Sequence, residues 1–255
     1  PIPRTLSMTV FGDLDVTTIE GMPPGRGETH TQLLSPAQMN KAVQFLRQRL
    51  AQGQQGYIIY PLVNPSDNAN LTAAIEAYEQ LRSDGLADFR VGLIHGQMPP
   101  ADKDAVMRAF ASGEIHALVA SVVIEVGIDV PNANVMIIAH AERFGLAQLH
   151  QLRGRIGRGH DEAYCLLVAS PANPLSKQRL EVLRDCRDGF RIAEQDLRLR
   201  GPGEFFGSRQ HGLPELKVAD LVKDLPLLRD ARRDAFAMVA GDPSLSAPHH
   251  QALRR

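Results

Sequence analysis

The feature that most limits how this chain can fold is a series of short, unbroken apolar runs alternating with segments of helical period. The runs lie at 56–63, 89–94, 117–121, 134–139 and 163–168. A continuous apolar run, as opposed to one that alternates with polar residues, reads as a strand buried on both faces. Between the runs lie helical patterns at 37–50, 70–81, 100–110 and 147–152, the first opened by Ser35-Pro36 with proline in the first turn. Strands alternating with helices predict an α/β fold built on a parallel sheet that is covered on both faces.

The pattern changes after Ser170. Residues 175–186 and 189–197 read as two helices close enough to form a hairpin. Gly201-Pro202-Gly203-Glu204-Phe205-Phe206-Gly207 reads as a loop, 218–239 as a further helical stretch and the last fifteen or so residues as a loose tail. At the other end, Ser7 to Phe11 resembles a short strand cut off from its sheet, and Pro23-Pro24-Gly25-Arg26-Gly27 an extended connector. The expected organisation is a leading segment and linker over 1–34, an α/β domain over 35–170, a helical hairpin, loop and further helices over 171–240, and a tail over 241–255. With no methionine ahead of Pro1, a fragment or processed chain is the expectation.

Composition narrows the class. Two cysteines, Cys165 and Cys186, argue against a disulfide scaffold and suit a reducing cytoplasm. No apolar run approaches the ~18 residues of a membrane helix, so no membrane partner is expected. A net charge of −1 excludes a globally basic nucleic-acid coat protein. The charge is unevenly spread, however. Residues 1–142 carry 9 basic and 15 acidic side chains, whereas 143–209 carry 12 and 8.

That basic segment contains the most specific motif, Gln148-Leu149-His150-Gln151-Leu152-Arg153-Gly154-Arg155-Ile156-Gly157-Arg158-Gly159. Glycines let the backbone pack closely, and three guanidinium groups are expected on one side. Their planar forks match phosphate oxygens and suit a triphosphate presented in trans. A second stretch, residues 120–131, follows a strand directly and ends in Gly127-Ile128-Asp129-Val130-Pro131. A small residue at the strand end with Gly-x-Asp shortly after suits a nucleotide edge or a nucleic-acid backbone. No G-x-x-x-x-G-K-[ST] phosphate loop occurs anywhere in the 255 residues, so this chain cannot assemble a complete NTPase site alone.

These two stretches resemble motifs V and VI of superfamily 2 helicases. His140-Ala141-Glu142-Arg143-Phe144-Gly145-Leu146, Tyr60-Pro61-Leu62-Val63, Ile94-His95-Gly96-Gln97-Met98 and the amino-terminal strings Pro1 to Thr5, Gly12 to Asp15 and Pro23 to Arg26 are similar to the bacterial RecG helicase family. Residues 188–212 resemble the translocation motif that this family shares with the transcription-repair coupling factor. The resemblance implies a second RecA-like helicase domain followed by a helical hairpin. It further implies an ATP-dependent double-stranded-DNA translocase, at work in the bacterial cytoplasm on the nucleoid, that remodels stalled replication forks and Holliday junctions. ATP and Mg2+ would be held mainly by a first helicase domain that, like the amino-terminal wedge domain, is missing here. On this resemblance Arg155 and Arg158 act as in-trans arginines, with Gly127, Asp129 and Gln151 near the nucleotide. Ser121, Arg187, Arg191, Arg198, Arg200, Gly201, Gly203, Arg209 and Gln210 are assigned to DNA and translocation.

Two departures stand out. Val122 occupies a position where the family usually has threonine, and Ala139 one where glutamate is common. The competing readings are the corresponding portion of a transcription-repair coupling factor and a non-catalytic RecA-like binding module.

Overall fold

A computed structural model of the chain describes residues 27–61, 68–121, 129–206, 225–250 and 252. Backbone clustering divides the chain into two units, Glu20–Ile192 and a second made of Pro1–Ile19 with Ala193–Arg255.

The first unit is an α/β sandwich. Its strands are β1 (Thr29–Leu34), β2 (Gln55–Ile59), β3 (Val91–Ile94), β4 (Ala117–Ala120), β5 (Ala133–Ala139) and β6 (Ala163–Val168). They form one six-stranded sheet in the order β1-β6-β5-β2-β4-β3, and every pairing is parallel. Helices α1 (Met39–Ala51), α2 (Asn68–Gln80), α3 (Pro100–Ala111), α4 (Leu146–Arg153) and α5 (Pro174–Asp185) connect or follow the strands. β2, β4 and β5 are buried at every position, as their unbroken apolar sequence requires. The two faces carry separate clusters. Tyr57, Ile59, Met136, Ile138, Cys165 and Leu167 join Phe110, Leu149 and Leu183 on one, while Ile58, Val119, Ile137 and Leu166 join Leu46, Leu50 and Leu81 on the other.

Four elements differ from expectation. β1 lies inside the segment read as leader and linker, and it pairs with β6 from Thr29↔Ala163 to Leu34↔Val168. Its sequence, Thr-His-Thr-Gln-Leu-Leu, is too polar to signal a buried strand, because an edge strand needs only one neighbour. α2 ends in a π-helical turn over Leu81–Gly85. The hairpin's second helix, α6 (Gly189–Phe206), runs through Gly201-Pro202-Gly203, where a loop was expected. Pro202 has no N–H to donate and glycine is a poor helix former, so local propensity argues against a helix there.

The fourth difference is in the second unit, which holds most of α6 and α7 (Leu225–Gly241). The stretch expected to be a loose tail is tied to Asp242. Its carboxylate accepts hydrogen bonds from Ser246 N (3.0 Å), Ala247 N (2.8 Å) and Ser246 Oγ (3.2 Å), and lies 3.0 Å from His250 Nδ1. Those donors favour the ionised carboxyl and hold its pKa well below the usual carboxylate range, the Ala247 amide contributing most.

Candidate functional site

α4 runs from the carboxyl end of β5 back to the amino end of β6 and delivers the arginine-rich turn there. Gly157 adopts a left-handed backbone (φ 65°), and a Cβ on it would come within 2.8 Å of the Ala163 Cβ and 3.0 Å of Thr29 Oγ1. Only glycine fits this approach to the starts of β1 and β6. The Gly27 amide donates to Gly159 O (2.9 Å), which closes the turn against the strand entry.

Arg158 donates through Nε to Gly154 O (3.3 Å), and its Nη1 lies 3.2 Å from Asp129 Oδ1. The two side chains are 34% and 54% exposed, so this is a surface pair open to solvent. Arg155, half-buried, and Arg158 both act electrostatically on Tyr57, as does Asp129. Burial pushes the Tyr57 phenol up to about 12, and the two guanidinium charges oppose that rise. The loop between α4 and β6 that carries Arg155 and Arg158 and the loop that brings Asp129 to β5 thus both lie at the amino ends of the strands. Gln151 is exposed in the last turn of α4. Gly127 lies outside the described residues.

Ser121 sits at the opposite edge of the sheet. It follows β4 directly, its amide donates to Ile94 O (3.0 Å), and it is fully buried. Among the described residues its hydroxyl has no hydrogen-bond partner. Ser121 follows the carboxyl end of β4 and Asp129 precedes the amino end of β5, so the two belong to different edges of the sheet. His140 stands at the carboxyl edge too, in a left-handed conformation (φ 49°), with Nδ1 3.7 Å from Glu142.

The arginine motif departs from the expected single-sided array. Arg153 is only 6% exposed and turns away from Arg158. Its Nη1 donates to Leu183 O (2.6 Å) and Cys186 O (3.0 Å), the last carbonyls of α5 and its cap. The physical reason is the negative end of α5, whose unsatisfied carbonyls attract a cation. A signal was present in the sequence. Leu146, Leu149 and Arg153 recur at helical spacing, which puts Arg153 on the buried face of α4.

The hairpin arginines meet acidic partners. Arg187 pairs with Glu28 and lowers that carboxyl's pKa, chiefly through the hydrogen bond between them. Arg191 Nε lies 4.0 Å from Asp188, and Arg198 Nη2 lies 2.7 Å from Glu194 one helical turn away. Arg191 is 79% exposed. Arg200, Gly201 and Gly203 fall within α6. Arg209, Gln210 and Val122 lie outside the described residues.

Among the described residues no group of three His, Cys, Asp or Glu side chains is placed to hold a metal, and no helix is long and apolar enough to cross a membrane. The Cys165 thiol is buried in β6, its pKa pushed up to about 12 by desolvation, as befits a core residue.

The family described as "Helicase conserved C-terminal domain" matches residues 38–160, and that described as "ATP-dependent DNA helicase RecG, domain 3, C-terminal" matches residues 186–255. The chain is 52% identical to the ATP-dependent DNA helicase RecG of Thermotoga maritima over 92% of its length and 45% identical to that of Bacillus subtilis over 100%. Those matches cover 30% and 37% of the relatives, so the chain spans about a third of their length. A RecG structure bound to a three-way DNA junction superposes with a TM-score of 0.70 at 49% identity, over 89% of this chain and 29% of that one. A Saccharomyces cerevisiae Dbp5 variant bound to RNA and ADP BeF3 reaches 0.51 at 13% identity, over 90% of this chain and 52% of that one, a likeness of fold alone. The chain belongs to the RecG helicase family, of which it carries a C-terminal helicase portion.

Proposed function

We propose that this chain is the C-terminal helicase portion of an ATP-dependent double-stranded-DNA translocase that remodels stalled replication forks and Holliday junctions on the bacterial nucleoid. The observation that carries the reading is the gathering of Asp129, Arg155 and Arg158 at one edge of the sheet, with Ser121 at the other. Such a division suits a domain that meets a nucleotide on one side and a nucleic-acid backbone elsewhere.

The donor set fits a polyphosphate presented by another domain. Two guanidinium groups lie at a solvent-accessible turn, and planar forks of this kind stabilise charge that develops on phosphoryl oxygens. Arg158 can leave Asp129 cheaply, since an exposed ion pair is worth only about 0.2–1 kcal/mol. Asp129 then becomes free to accept a hydrogen bond from a ribose hydroxyl, and the family resemblance assigns Gly127 and Gln151 to the same nucleotide. Bound ATP would supply the free energy of phosphoryl transfer. By the family resemblance, ATP and Mg2+ would be held mainly by a first helicase domain that this chain does not include. For the DNA, Arg191 is exposed, and Arg187 and Arg198 can exchange their exposed acidic partners for phosphates; the family resemblance adds Arg200, Gly201, Gly203, Arg209 and Gln210 to this surface.

The test is DNA-stimulated ATP turnover by the full-length protein on forked and linear duplexes of equal length. Stronger stimulation by the fork supports branched DNA as substrate. Equal stimulation removes the fork from the proposal.

A further inference from the structure

We propose that Arg153 is a positioning residue that links the triphosphate arginines to the helical hairpin, and that it does so by capping α5 with no role in phosphate contact. The inference rests on the functional reading above and names a residue within it.

Four observations place Arg153 at this junction. Its side chain is 6% exposed although it is charged and belongs to the most basic motif of the chain. Nη1 donates to Leu183 O and Cys186 O at 2.6 and 3.0 Å, and reaches Thr31 Oγ1 on β1 at 3.5 Å. Nη2 lies 3.3 Å from His150 Nδ1. The same His150 ring closes on the hairpin from the other side, because a Cβ placed on Gly189 would lie 2.9 Å from its Nε2. α4 therefore holds both the end of α5 and the start of α6 through two residues one turn apart.

The chemistry separates Arg153 from its neighbours. A guanidinium spent on helix-end carbonyls has its donors aimed away from the turn that carries Arg155 and Arg158. Yet only one residue separates Arg153 from Arg155. Any rotation of the arginine turn that follows phosphate contact must therefore move the α5 terminus, and the hairpin turn with it. Leu149, Leu152 and Ile156 share one buried cluster with Leu180, Leu183 and Ile192, which makes the junction a packed body. His150 is desolvated and sits beside the Arg153 charge, which pulls its pKa down to about 4. The neutral ring can accept from Arg153.

The test uses the full-length protein with Arg153→Met, Arg153→Lys and Gly189→Ala, reading ATP turnover and fork unwinding side by side. In Arg153→Met, turnover should stay within about threefold of the parent while unwinding falls more than about tenfold. Arg153→Lys, which can reach the same carbonyls with fewer donors, should recover part of the unwinding. Gly189→Ala, which crowds His150, should show the same split from the hairpin side. An equal fall in both rates would reduce Arg153 to a stabilising residue and overturn the proposal. So would a selective rise in the KM for ATP, which would mark Arg153 as a phosphate ligand, or no change in either rate. Should Arg153→Met fail to fold, Arg153→Lys and Gly189→Ala carry the same comparison. Loss of fork preference in the parent protein would count against the functional reading and leave this split untouched.

Discussion

Arg158 and Asp129 lie 3.2 Å apart although they come from different loops, one that leaves α4 and one that enters β5. The pair is exposed, so it adds little to stability. Its consequence is positional, because it holds the last arginine of the motif at the amino edge of the sheet. In the full-length protein Asp129→Asn should change melting temperature by no more than about 2 °C, matching less than ~0.5 kcal/mol. It should weaken ATP turnover several-fold. A large loss of stability without change in turnover would place the pair in the scaffold.

Gly157 is the position where a side chain costs most. Its φ of 65° and a Cβ clearance of 2.8 Å to Ala163 leave no room. Gly157→Ala should destabilise the domain by roughly 2–4 kcal/mol, from left-handed strain plus overpacking. Urea unfolding of the isolated chain measures this directly, and an unchanged midpoint would mean the turn relaxes freely.

The carboxyl-terminal turn should respond to acid. The pKa of Asp242 is depressed, so the stability it contributes is present above the unfolded value near 3.8 and is lost as the pH falls below that value, toward the folded one. Amide protection of Ser246 and Ala247 should persist from neutral pH down to about pH 4 and fade below. In Asp242→Ala it should be absent at neutral pH. Protection that survives the substitution would show that other contacts hold this turn.

His150 takes up its proton at a lower pH than an ordinary surface histidine, chiefly because it is desolvated. With a folded pKa of about 4 against an ordinary 6.5, the unfolded chain binds the extra proton between those values. The resulting stability is fully present above about pH 6.5 and declines as the pH falls toward 4. NMR titration of the His150 ring should give a midpoint near 4 that rises when Arg153 is replaced by methionine. A midpoint near 6.5 in the unaltered chain would contradict the burial of this ring.

Much of the fold was legible because buried parallel strands need continuous apolar sequence. Residues 56–59, 117–120 and 134–138 announced themselves in that way, and the helices between them followed from their period. β1 did not, since an edge strand with Thr29, His30, Thr31 and Gln32 carries no such signature. Nor did the helical path through Gly201-Pro202-Gly203, whose residue types argue for a turn. The arginine turn was legible as a surface feature, since Arg155 and Arg158 stand among glycines on a turn after α4, but its pairing with Asp129 was not, because the two come from loops far apart in sequence. Arg153 was misplaced because a guanidinium that caps a helix and one that meets a phosphate look alike in sequence. Only the position of Arg153 on the buried face of α4 distinguishes them.

The isolated 255-residue chain should show no DNA-stimulated ATP turnover, because it contains no phosphate loop to hold a triphosphate. Turnover above background by the purified chain would require a nucleotide site that the arginine turn alone does not supply.

The most direct test of the central claim is Arg158→Ala in the full-length protein, with ATP turnover and fork binding measured on the same preparation. Removal of a guanidinium that stabilises phosphoryl-transfer charge in trans should lower turnover by about 10³-fold or more, with fork affinity within about threefold of the parent. Turnover at the parent rate would contradict the assignment of this turn to the triphosphate.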